Sequence, residues 1–63
     1  MNKVQARQVE LAKRYVALGL PDVAARSISA LIRCSLSRKA EADLMQIAKD
    51  MGIDKHPEFI IIV

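Results

Sequence analysis

The chain has 63 residues, 52% of them hydrophobic, and ten Lys and Arg against seven Asp and Glu give a net charge of +3. That length allows one small domain, which buries only about 60% of its unfolded surface and gains from any staple. One Cys and one His exclude an internal disulfide and a four-ligand zinc site.

Tyr15 and Phe59 are the aromatic residues, too few for a base-stacking platform. The charge is mildly basic, short of the dense Lys/Arg clusters of a dedicated nucleic-acid surface. The first residues form a polar helix start without a secretory h-region, and no apolar run approaches the roughly 20 residues that span a bilayer. With one free thiol, a reducing cytoplasmic location is the expectation.

Asn2 is a good N-cap and Gln5 stands three residues on, a capping-box pattern. The helix that follows reads to Leu18 and closes at Gly19, with Leu20 folding back as the hydrophobic contact. Val4, Leu11, Tyr15 and Leu18 make one apolar stripe, and Val9 and Val16 a second one, roughly 100° or more away, with Ala12 between. A band that wide exceeds what one helix contact needs, so Val9 and Val16 are assigned to a dimer interface. Lys3, Arg7, Glu10 and Arg14 line up opposite. Lys3, Arg7 and Arg14 form a basic stripe that reads first as a solvated face and otherwise as a contact for an acidic protein partner or for nucleic acid, partly neutralised because Glu10 is within reach of Lys13 and Arg14.

Pro21 suits the first turn of a second helix, and Asp22 complements its dipole. Gly19-Leu20-Pro21 therefore joins the first two helices as an antiparallel hairpin. Val23–Cys34, VAARSISALIRC, is the centre of the chain: Asp22, Arg26, Ser29 and Arg33 fall within an arc of roughly 60°, and the rest is apolar or small. Such a helix must be covered from several sides, and Cys34 reads as a small buried hydrophobe. Tyr15, Leu18, Gly19 and Ala24 resemble part of a tetratricopeptide repeat, which implies a helical hairpin and nothing further without a second copy.

Ser35 and Ser37 offer N-caps for a third helix over 38–51, apolar at Ala40, Leu44, Ile47, Ala48 and Met51, with Gly52 and Ile53 closing it. Its carboxylates sit on an exposed face, without the cleft that separates pKa values for acid–base work. Residues 54–57 read as a polar linker with a solvated His56, extended before Pro57. The tail Glu58–Val63 ends in a five-residue apolar run, four of them β-branched, which prefers strand geometry and wants both faces buried. Phe59, Ile60, Ile61, Ile62 and Val63 are accordingly assigned to a homodimer interface, as a two-stranded ribbon with a second copy. The alternatives are an extended segment lying across the helices and a bare recognition tail.

The expected fold is all-α: three short helices, the first two a hairpin, and a C-terminal extended or β segment, assembled as a homodimer. It is one domain over 1–63, with a helical body over 1–55 and an apolar tail over 56–63. Leu11, Tyr15, Leu18, Val23, Ile28, Leu31, Ile32, Leu44 and Ile47 are the expected core. No nucleophile–base pair, phosphate loop or metal set is present, so no enzyme, cofactor or metal is expected. The function that composition allows is a protein-interaction module. The alternative is a small dimeric DNA-binding regulator of helix-turn-helix type, with Arg33, Arg38 and Lys39 as phosphate contacts.

Taken whole, from MNKVQARQVELAKRYVALGL to HPEFIIIV, the chain resembles a small early protein of lambdoid bacteriophages, from the short reading frames between the exonuclease and excisionase genes. The resemblance implies a protein made early in infection, in the host cytoplasm. It also implies a role in altering host physiology or favouring lytic over lysogenic development, through a host or phage protein partner. It carries over no site residues, because the family is not defined by an active site.

Overall fold

A computed structural model describes residues 2–61 of the chain. Three helices follow one another: α1 (Lys3–Ala17), α2 (Pro21–Arg33) and α3 (Arg38–Met51). Among the described residues there is no strand.

Each helix starts and stops for a local reason. At α1 the capping box is complete: the Gln5 N–H donates to Asn2 Oδ1 at 2.8 Å, and the Asn2 N–H donates to Gln5 Oε1 at 3.1 Å. Gly19, at φ 80°, ends α1, with the Leu20 N–H reaching back to the Tyr15 carbonyl at 2.8 Å and the Gly19 N–H to Val16 at 3.0 Å. This is the doubled closure that a left-handed residue makes possible. Pro21 then opens α2 where its missing N–H costs nothing. Ser37 caps α3 through Ala40, and Gly52, at φ 75°, repeats the closure of α1 with the Ile53 N–H on the Ala48 carbonyl.

The short link after α1 folds α2 back on it as a hairpin, and α3 packs on α2 in turn, so α2 is the central helix. The core is Val9 and Ala12 from α1, Ala24, Ala25, Ile28 and Ile32 from α2, Leu44 and Ala48 from α3, and Ile53 just beyond. Four of these are alanines. Small side chains at the contacts let neighbouring backbones approach closely, which suits a domain with few large residues to bury.

The expected core needs correction on α1. Val9 is 3% exposed and Val16 packs against the core, whereas Leu18 is 73% exposed. The two stripes have exchanged roles relative to the sequence reading. The physical reason is the contact partner: the flat stripe Val9–Ala12–Val16 lets the small residues of α2 come close, which the bulkier Leu stripe does not. Ile28, Ile32 and Leu44 are buried as expected, Tyr15, Leu31 and Ile47 pack against the core, and Leu11 and Val23 are half-buried. Cys34 is a second correction. It stands just past the last turn of α2 and is exposed, because its position on the helix circumference lies well away from the buried arc of Ala24, Ala25, Ile28 and Ile32.

The tail is the third. Residues 59–61 form no strand, and Phe59 and Ile61 lie against the chain's own core. Ile60 is exposed, so the segment buries only some of its apolar side chains. Ile62 and Val63 lie outside the described residues. The polar arc of α2 holds this segment down. Arg26 Nε donates to Glu58 Oε2 at 3.1 Å, and the Arg33 guanidinium donates to the Ile60 carbonyl at 2.9 Å. Ser29 lies between these arginines, is 1% exposed, and donates to the Arg26 carbonyl at 3.1 Å. The turn before the tail is built, not solvated: His56 Nδ1 accepts the Glu58 N–H at 3.1 Å, which sets Glu58 opposite Arg26.

Candidate functional site

With Val9, Ala12 and Val16 turned inward, the outer side of α1 carries what the sequence reading had buried. Val4 is 68% exposed, Leu18 is as open, and Leu11 and Tyr15 are half-buried at the boundary. At 100° per residue Val4, Leu11 and Leu18 fall within about 40° of one another, so they form one stripe along the helix. Lys3, Arg7 and Arg14 run beside it, all exposed, as the sequence predicts for a basic stripe. Among the described residues none of the three forms an ion pair; the acid on this helix, Glu10, faces Lys13 at 3.5 Å.

The charge is concentrated here. Lys3, Arg7, Lys13 and Arg14 against Glu10 leave α1 with +3, and the remaining six Lys and Arg are balanced by six Asp and Glu. The net charge of the whole chain therefore sits on one helix, next to its most exposed apolar stripe.

The other predicted site residues are dispersed. Val9 and Val16 are taken up inside the chain, and Phe59 and Ile61 lie against the core; of the described tail, Ile60 presents the open apolar side chain. Arg33 is engaged with the tail, so of the predicted phosphate contacts Arg38 and Lys39 stand free at the start of α3. Between them and α2, Leu36 is completely exposed. Arg26 is raised above its ordinary pKa by its hydrogen bond to Glu58 and by that carboxylate's charge, so it stays cationic and tied to the tail. Among the described residues no three His, Cys, Asp or Glu side chains converge, and no pocket opens on the surface. Among the described residues no helix is long and apolar enough to cross a membrane.

Sequence reasoning missed Val4 and Leu18 as surface. A signal was present: positions 4, 11 and 18 repeat every seven residues, and Arg7 and Arg14 repeat beside them. Comparison with protein-family models, characterised proteins and solved structures finds no match.

Proposed function

We propose that this chain is a non-enzymatic interaction module that presents the outer face of α1 to another protein. In the setting the phage resemblance implies, it acts early in infection, in the host cytoplasm, on host physiology or on the choice between lysis and lysogeny. The observation that carries the reading is the stripe of exposed Val4 and Leu18 and half-buried Leu11 beside cations that form no ion pair among the described residues. A domain this short of apolar bulk leaves large side chains in water, and covering each would return roughly 1.5–3 kcal/mol. Contiguous exposed apolar surface of this kind marks contact sites.

Expression of the chain in a bacterial host is expected to change growth or the outcome of infection. A Val4→Ser/Leu18→Ser variant is expected to melt at an unchanged temperature and to lose the effect. A variant that folds and keeps the full effect would overturn the reading.

A homodimer has to be rebuilt on this geometry, because a tail ribbon would pull Glu58 and Ile60 away from Arg26 and Arg33. Its large apolar contacts would come from the exposed Val4, Leu18, Leu20, Leu36 and Ile60. Light scattering on the full chain reads its mass directly.

One observation favours DNA binding as a second reading. Cys34–Ser37 is a four-residue link between α2 and α3, the length of a helix-turn-helix turn, and Arg38 and Lys39 are exposed at the start of α3. That reading expects salt-dependent binding to duplex DNA, weakened by Arg38→Ala/Lys39→Ala. Absence of binding at low salt would remove it.

A further inference from the structure

Resting on the interaction reading, we propose that the outer face of α1 is half of a two-helix seam, and that its occupant is an acidic amphipathic helix of a different protein. Val4, Gln8, Leu11, Tyr15 and Leu18 follow one another at steps of four, three, four and three. That is the spacing by which a helix keeps one seam turned toward a neighbouring helix over successive turns. Among the described residues Val4 and Leu18 are open and Gln8 and Leu11 are half-exposed between them, while Tyr15, also half-exposed, packs in part against the core. The seam runs the length of the helix, about two heptads, enough to seat a helix and too narrow to bury one completely.

The edges of the seam choose the occupant. On one side stand Gln5 and Ala12, and Ala12 is buried against the rest of the domain. On the other stand Arg7 and Arg14, seven residues apart and exposed, with Lys3 next to them. Charges flanking a helix seam set which partner is accepted and in which orientation. A second copy of this chain is the wrong partner in either orientation. Antiparallel, the arginine edges meet each other; parallel, each meets Gln5 and Ala12, and nothing neutralises it. The rest of the molecule carries six Lys and Arg against six Asp and Glu, so it brings no net negative charge to offset the +3 on α1. Carboxylates on the incoming helix do.

The test uses the full chain and two designed helical peptides of about three heptads, with Leu along the seam. One is flanked by Glu and the other by Lys. Fluorescence anisotropy is expected to show saturable binding of the Glu peptide and at least about tenfold weaker binding of the Lys peptide. Leu11→Asp and Leu18→Glu are each expected to weaken the Glu peptide by about tenfold or more. Arg7→Glu/Arg14→Glu, at positions outside the core, is expected to reverse the preference. Equal binding of both peptides, no saturable binding, or a preference that survives the charge reversal overturns the proposal. So does light scattering that shows a dimer of the full chain which Leu18→Glu converts to a monomer. If the Glu peptide fails while Val4→Ser/Leu18→Ser still abolishes the effect in the host, the interaction reading stands and only the partner's acidic chemistry falls.

Discussion

Ser29 is a polar residue buried among hydrophobes. Its hydroxyl closes onto the Arg26 carbonyl within its own helix, beneath the arginines that hold the tail. Because that carbonyl belongs to a helical turn, Ser29→Ala orphans little and should cost about 1 kcal/mol or less in urea denaturation. Ser29→Leu should cost roughly 1–3 kcal/mol, because the added volume meets a site with no room. It should also speed hydrogen exchange at Ile60 and Ile61, and unchanged exchange there would show that the tail does not rest on this position. Gly52 is a purely conformational case. A Cβ there meets nothing within 4 Å, yet φ is +75°. Gly52→Ala should therefore cost about 1–2 kcal/mol with no change in packing.

Among the elements, caps place the helices and the core decides whether they persist. The Ser37 cap is long at 3.4 Å and exposed, so Ser37→Ala should fall at the low end of cap losses, about 0.5 kcal/mol. Ile28 sits at the centre of α2 with no exposure, and Ile28→Ala should cost about 2–5 kcal/mol. A thermal melt of both variants separates the two effects; similar melting temperatures would contradict the central place of α2. The tail belongs between these extremes. Its two anchors are exposed and worth little alone, while Phe59 adds partial burial against the core. Phe59→Ala should cost about 2 kcal/mol, and Arg33→Ala should loosen the tail with hardly any change in melting temperature.

At the scale of the molecule, the Cα radius of gyration is 10.4 Å, against about 10.6 Å for a compact chain of this length. Of the described tail, Phe59 and Ile61 lie against the core. A domain of this size holds about 3–9 kcal/mol in all, so one core truncation consumes most of it. A ligand for the native state shifts it appreciably: at about 100 times its dissociation constant it contributes about 2.7 kcal/mol. The Glu-flanked helix is therefore expected to raise the melting temperature of the full chain, and the Lys-flanked helix to leave it unchanged. An equal rise with both would show that apolar contact alone, without the arginine edge, determines binding.

The sequence determined the parts whose causes are local. Asn2 with Gln5, Pro21, Ser37 and the two glycines act within a few residues, so all three helices and the hairpin link were legible before any packing was known. The wealth of apolar positions on α2 likewise marked it as the helix to be covered. Only the tertiary structure decided which of two stripes on α1 faces inward, because periodicity reports that both are apolar and cannot report that the neighbour offers alanines. It also decided the fate of the tail. A run of apolar residues looks two-faced in sequence, but the arginines that pin it come from a helix 27 and 32 residues away. The candidate site follows from both decisions: its basic stripe was legible, and its apolar half became surface only when the domain chose the smaller stripe for its core.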